Sequence, residues 1–293
     1  MDELQKFADY LRVEKRYSSH TLLAYETDLN QFASYLKEVY EVDSMGEVRP
    51  SFVRSWLVKL MEEGITARSV NRKITALKSF YKFAVRKGHL HNNPMLKVSS
   101  PKTSRRLPEY VEAEKLDLLL DNTEFPDNFD GRRDHLIIEL FYGTGIRLSE
   151  LLGLHMDDIQ ISRHQIRVTG KRNKQRIIPL FTELESKIEH YLIDRKSVES
   201  ETPHVFVFES GHALYPMYVY RLVNKYLSLV STRKKKSPHV LRHSFATEML
   251  NKGADLNAIK ELLGHANLSA TQVYTHNTIE KLKKAYNLAH PRA

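Results

Sequence analysis

Ile159-Gln160-Ile161-Ser162-Arg163-His164-Gln165-Ile166-Arg167-Val168-Thr169-Gly170-Lys171-Arg172-Asn173-Lys174-Gln175-Arg176-Ile177-Ile178-Pro179-Leu180 is the stretch of this 293-residue chain that breaks an otherwise helical pattern. Ile159–Ile161, Gln165–Val168 and Arg176–Leu180 read as short strands. Thr169 to Lys174 reads as the turn between the last two, so the stretch predicts a small antiparallel sheet with a basic hairpin tip. On either side the apolar residues recur at helical spacing. Upstream, Leu4, Phe7 and Leu11 are followed by Leu22, Tyr25, Leu29, Phe32 and Leu36, with cap-type residues Ser18 to Thr21 between them. Arg49-Pro50-Ser51 opens a further helix through Phe52, Trp56 and Leu60, stopped near Gly64. Downstream, helices are expected at Glu183–Arg195, Met217–Val230 and Arg242–Asn251, with a last amphipathic stretch carrying Ile279, Leu282, Tyr286 and Ala289. Ser99 to Arg106 has the Ser, Pro and basic composition of an exposed linker. The expectation is a mainly α chain with a small antiparallel β-sheet in its second domain, divided as 1–98, a linker 99–106, and 107–293.

Charge points to a partner. Lys and Arg number 45 against 36 Asp and Glu, a net charge of +9, of which +7 lies before Leu107. Between Ile65 and Arg106 there are 11 basic residues and no acidic one. On a helical wheel Val70, Ile74, Leu77, Phe80, Tyr81, Ala84 and Val85 share one side of the segment Arg68 to Lys87, while Arg68, Arg72, Lys78, Lys82 and Arg86 fall opposite. Like charges one turn apart destabilise a helix by roughly 0.2–0.5 kcal/mol per pair, so a wholly positive face calls for a polyanion. There is no cysteine, hence no disulfide, thiol nucleophile or thiolate metal site, which suits a reducing compartment with the cytoplasm as default. No apolar run approaches the roughly 20 residues of a membrane span, and the first residues lack the order of a signal peptide.

Four segments carry chemistry-bearing residues: Thr144-Gly145-Ile146-Arg147-Leu148-Ser149-Glu150; Gly170-Lys171; His239-Val240-Leu241-Arg242-His243; and Leu263-Gly264-His265 followed by Val273-Tyr274-Thr275-His276. Singly, each has a structural explanation: an Arg–Glu pair on a helix, a satisfied histidine, a packing tyrosine. No His-Glu-x-x-His, phosphate-cradling Gly-rich loop or Gly-x-Ser-x-Gly element is present, so no metal and no nucleotide cofactor are implied.

In order and spacing the four segments resemble the signature of the tyrosine recombinases, the phage integrase family. The whole chain is similar to the Xer-type (XerC/XerD-like) site-specific recombinases, on Tyr17-Ser18-Ser19-His20-Thr21, the run Ser237 to Thr247, Leu262-Leu263-Gly264-His265 and His290-Pro291-Arg292-Ala293. The terminal residues lean toward the XerD-like side. The resemblance implies a two-domain, DNA-clamping enzyme in which Tyr274 attacks a phosphodiester, giving a 3′-phosphotyrosyl link and a free 5′-hydroxyl. Arg147, Arg242 and His265 would hold the phosphate oxygens. Lys171 would protonate the leaving oxygen, with Lys174 as the fallback, and His239 would exchange a proton near the tyrosine. Glu150 would orient Arg147. Arg172, Lys174 and Arg176 would touch phosphate from the hairpin, and His243 and His276 would be structural.

The resemblance also implies double-stranded DNA as the partner and a homo- or hetero-tetramer on DNA, with a sister Xer-type recombinase and possible activation by a DNA translocase. The location would be the bacterial cytoplasm, on the nucleoid when active. Ile279, Leu282 and Tyr286 would form the buried face of a C-terminal helix docked on a neighbouring protomer; the alternative folds them onto their own domain. Helices that begin almost at Met1 leave no room for an arm-binding domain, which favours chromosome-dimer resolution over a mobile-element integrase. A DNA-binding protein without catalysis is the reading from another class.

Overall fold

The computed structural model describes residues 2–103, 109–170, 173–264, 285, 286, 288–290 and 292. The chain forms two compact units, Met1–Arg106 and Leu107–Ala293.

Among its described residues the first unit has helices and connecting loops and no strand. Helix α1 (Asp2–Asp9) runs into a π-helical turn at Tyr10–Glu14 and is followed by α2 (Ser19–Tyr40), α3 (Pro50–Glu62) and α4 (Ala67–Arg86). The starts follow from local chemistry: the Ser18 hydroxyl accepts from the Thr21 N–H and Thr66 from Ser69, while Pro50 takes the first helical position, where its missing N–H costs nothing. Phe7, Leu11, Phe32, Trp56, Ile74, Leu77 and Phe80 interlock in one core. Six of the seven apolar residues placed on the inner side of α4 are buried; Val85 is 37% exposed, while Phe83, not among the seven, is turned into the core beside Ala84.

The basic helix also has a feature that wheel geometry does not show. Lys73 is turned inward and only 6% exposed, with its Nζ 2.9 Å from Oδ1 of the fully buried Asp28 and a further bond to Gln31. Arg72 donates to the other Asp28 oxygen and to the Ala24 carbonyl. A buried carboxylate without a cation would be costly, so α4 gives up two of its charges to α2.

In the second unit α5 (Ala113–Asn122), α6 (Phe129–Thr144) and α7 (Leu148–Leu152) precede the sheet, and α8 (Thr182–Ser197), α9 (Pro216–Val230), α10 (Pro238–Asn251) and α11 (Leu256–Leu263) follow it. Helix α6 is apolar nearly all round its Leu136–Tyr142 segment and is correspondingly buried, packed by α8 and α10. Strands β1 (Ile159–Gln160), β2 (Gln165–Thr169) and β3 (Gln175–Pro179) are antiparallel in the order β1-β2-β3. Ile166 faces Ile178 and Val168 faces Arg176 across the β2–β3 ladder, and all four are buried.

Most element ends fall within one or two residues of expectation. Ile161 leaves β1 for a 3-10 turn at Ile161–Arg163. Helix α10 begins at Pro238, four residues before Arg242, since proline is favoured at a first helical position; His239 therefore stands on the first turn of α10.

Candidate active site

The site grows from the end of α6. Gly145 terminates that helix in the left-handed conformation at φ +59°, and a Cβ there would meet Phe245 Cδ1 at 2.6 Å, so both backbone and space demand glycine. The sharp turn delivers Arg147 to the N-terminus of α7. Glu150, three residues on, reaches back so that its Oε2 accepts the Arg147 N–H at 2.9 Å, closing the first turn as a capping glutamate does. Its Oε1 accepts Arg147 Nη1 at 2.6 Å. Glu150 thus bonds both the backbone and the side chain of Arg147.

Glu150 has a second partner. Arg176, on the core-facing side of β3 and 5% exposed, grips it through Nη1–Oε1 at 2.5 Å and Nη2–Oε2 at 2.9 Å. Burial alone would raise the Glu150 carboxyl, but the hydrogen bonds and charge of Arg176, joined by those of Arg147, outweigh it and hold the group at about 2. Glu150 is therefore a fixed negative charge at any physiological pH. The expectation that Arg176 touches phosphate from the hairpin is corrected here: its guanidinium is turned inward and engaged by protein groups.

Helix α11 brings the third side. It ends at Gly264 in the left-handed conformation, φ +63°. A Cβ on Gly264 would stand 3.1 Å from Arg176 Cδ and 3.4 Å from Arg147 Nη1, so the bare backbone admits both arginines. The last carbonyls of α11, which carry the negative end of the helix dipole, each take a guanidinium. Leu262 O accepts Arg176 Nε at 2.7 Å, Leu263 O accepts Arg242 Nη2 at 2.6 Å, and Gly264 O accepts Arg147 Nη2 at 2.8 Å. Arg242 Nη1 also donates to Gly145 O, tying α10 to the α6 turn.

Arg147, Arg176 and Arg242 thus surround a single ionised carboxylate, leaving a surplus of positive charge in a largely desolvated space. Arg242 registers it: burial first, then the charges of Arg147 and Arg176, push its guanidinium down to about 9, against the pull of Glu150. It stays protonated at neutral pH, and an arriving anion relieves the repulsion. Among the described residues Arg147 keeps its Nε–H and the second hydrogen on each Nη uncommitted, and its side chain is 34% exposed. The arrangement can bind a phosphoryl group between pre-charged donors and stabilise further negative charge on it.

His239 is exposed on the first turn of α10, on the same helix side as Arg242 three residues later. His243 is half-buried near the Tyr110 ring, and burial, then the neighbouring His239, lowers its pKa. Lys174 is exposed at the hairpin, where its carbonyl accepts the Gly170 N–H at 2.7 Å. Lys171, Arg172, His265, Tyr274, His276, Ile279 and Leu282 lie outside the described residues. Tyr286 is fully buried in its own chain, its hydroxyl donating to Gly143 O at 2.7 Å beside His290.

In the first unit Arg68, Lys78 and Lys82 are exposed and have no carboxylate partner among the described residues. Arg86 is exposed too, with its guanidinium over the Tyr10 ring at 5.0 Å, whereas Arg72 is half-exposed and bound to Asp28. Among the described residues no three His, Asp or Glu side chains converge as metal ligands, and no helix is long and apolar enough to cross a membrane.

Comparison with known proteins gives concordant matches. Residues 109–281 match the phage integrase family, and residues 4–88 match the phage integrase N-terminal SAM-like domain. The tyrosine recombinase XerC of Chlorobaculum parvum is 37% identical over 99% of this chain and 94% of its own length. That of Oceanobacillus iheyensis is 38% identical over 99% and 96%. Among solved structures, the post-cleavage complex of the XerH site-specific recombinase with a palindromic difH substrate shares 25% identity at a TM-score of 0.73, covering 90% of this chain and 78% of that one. The Tn1549 transposon integrase bound to transposon right-end DNA has the same fold, with 19% identity and a TM-score of 0.70 over 96% and 98% of the two chains.

Proposed function

The chain belongs to the phage integrase family and is a tyrosine site-specific recombinase, and from that premise we propose that it cuts and rejoins DNA to resolve chromosome dimers, as an enzyme of the XerC kind. The relatives named above are XerC proteins, which moves the assignment from the XerD-like side, toward which the terminal residues lean, to the XerC side. The observation that carries the chemical reading is the charge surplus at the α11 terminus: three arginines fixed by one carboxylate and three consecutive carbonyls. A diester phosphate carries one negative charge and gains a second as a nucleophile adds, so donors already in place stabilise the transition state more than the ground state.

In this reading the Tyr274 oxygen bonds to phosphorus as the bond to the 5′-oxygen breaks, and the link between sugar 3′-oxygen and phosphorus is retained. Lys171 gives its proton to the departing 5′-oxygen, and His239 takes up the tyrosine proton. Arg147, Arg242 and His265 hold the non-bridging oxygens, and Glu150 keeps Arg147 aimed. Because phosphate is exchanged between two oxygens of similar kind, the bond energy is stored and the step reverses with a new strand. The partner in solution is duplex DNA, joined by four protomers that include a sister recombinase, and the place of action is the cytoplasmic nucleoid.

The test is a nicked suicide duplex carrying a recombinase core site, incubated with the protein in chelator and without nucleotide. A slow-migrating protein–DNA adduct on a denaturing gel is expected, and its absence across related sites, even with a sister recombinase added, would sink the reading in favour of a DNA-binding protein without catalysis.

Backbone contact is the proposed role of α4, through Arg68, Lys78, Lys82 and Arg86; Arg72 contributes its exposed edge, and Arg172 and Lys174 extend the contact from the hairpin. Replacing Arg68, Lys78 and Lys82 together with glutamine should weaken binding to specific and unrelated duplexes alike. The slope of log K against log salt should flatten by about 0.9 for each phosphate that the variant no longer neutralises. Titrations at four salt concentrations measure this; an unchanged slope would remove α4 from the DNA surface.

A further inference from the structure

We propose that Arg176 is a positioning residue of the cleavage site: its buried guanidinium locks Glu150 against Arg147 on one side and the terminal turn of α11 on the other. The proposal rests on the reading above, in which Arg147 holds the reacting phosphate. Arg176 is assigned no phosphate contact, because all three of its nitrogens already bond protein groups at 2.5–2.9 Å and both Nη atoms are spent on the Glu150 carboxylate, whereas among the described residues Arg242 bonds carbonyls through its Nη atoms only. What it touches are the supports of three site segments. Glu150 holds the backbone and side chain of Arg147. The Glu150 Oε1 also lies 3.3 Å from where a Cβ on Gly170 would stand, directly before Lys171 in the chain. Leu262, whose carbonyl Arg176 fixes, stands two residues before Gly264, and His265 follows Gly264 in sequence.

A planar fork with a separate Nε–H is needed for this work. Lysine at 176 could place one charge near Glu150 but could not grip both of its oxygens and a carbonyl in a third direction. Glu150 would then rotate toward Arg147 and take up donors that are meant for phosphate. The consequence falls on the chemical step, because DNA affinity comes from backbone contacts spread over the whole surface.

The experiment compares single-turnover cleavage by wild type, Arg176→Lys and Arg176→Gln on two suicide duplexes. One carries the ordinary scissile phosphate and the other a methylphosphonate, whose methyl group removes the charge that the arginines compensate. On the phosphodiester each variant should form adduct on the order of 100-fold more slowly, at a duplex Kd within about threefold of wild type. On the methylphosphonate the loss should shrink to roughly fivefold or less, because an aligned clamp matters less to a neutral phosphoryl group. A loss of equal size on both duplexes, or none on either, overturns the proposal. So does an Arg176→Lys chain that fails to fold, since that would make the residue part of the scaffold. Failure of the wild type to form any adduct would instead strike at the proposed function.

Discussion

A Tyr274→Phe chain is expected to bind its DNA site with unchanged affinity and to leave no covalent adduct on a suicide duplex. The phenol oxygen is the atom that bonds to phosphorus in the proposed reaction, and phenylalanine keeps the ring while removing it. Water is not a ready substitute, because even with His239 left to take its proton it must be held in line with the 5′-oxygen without the covalent tether that positions the phenol. The adduct-forming rate should therefore fall by at least about 10⁴-fold, more than about 5 kcal/mol of transition-state stabilisation. The arginine clamp is untouched by the substitution, so affinity and salt dependence should stay those of the wild type. Adduct from the phenylalanine variant would mean that another of the 15 tyrosines is the nucleophile. Tyr286 is a poor second choice, since burial lifts its pKa well above the usual tyrosine range and its hydroxyl is bonded to Gly143 O.

The sheet, the helices and the pairing of Arg147 with Glu150 are legible in the sequence for physical reasons. Strand period differs from helix period, and an Arg with a Glu three residues later on a short helix has few ways to arrange itself. The charge pattern of α4 is legible in outline, but the partner that claims Arg72 and Lys73 is Asp28, more than 40 residues away on α2, and no local rule couples the two. Arg176 escapes the sequence reading because the basic hairpin tip groups it with Arg172 and Lys174 as an exposed residue. Parity offers the missing signal. Side chains two apart on a strand share a face, and Ile178 is fully buried, so Arg176 has to point inward with it. An arginine on the core face of a strand then requires a buried carboxylate, and Glu150 is the acid available at the α7 turn. The start of α10 eludes apolar spacing because Pro238 opens the helix one turn before the periodic residues begin.

Arg242→Gln should retain DNA binding to within about tenfold and lose on the order of 10³-fold in the rate of adduct formation. Arg242 is 6% exposed, and its carbonyl partners Gly145 and Leu263 fix the direction of its remaining N–H donors. In the unliganded protein, burial and the charges of Arg147 and Arg176 work against it, which is why its guanidinium is pushed down to about 9. Bound diester phosphate supplies one compensating charge and the pentavalent transition state supplies more, so the interaction grows along the reaction coordinate and belongs to rate more than to affinity. Removing one preorganised donor from such a site costs about 10²–10³-fold, and glutamine also removes a full charge from a desolvated space, which places the expected loss near 4 kcal/mol. Arg242→Lys keeps the charge but cannot bond both carbonyls and still present a flat edge to phosphate, so it should fall about 100-fold rather than rescue the enzyme. Single-turnover rates beside equilibrium binding separate the two effects. If the glutamine variant cleaved within tenfold of wild type, Arg242 would be a brace between α10 and α11, and the phosphate would have to be held by Arg147 with groups elsewhere in the site.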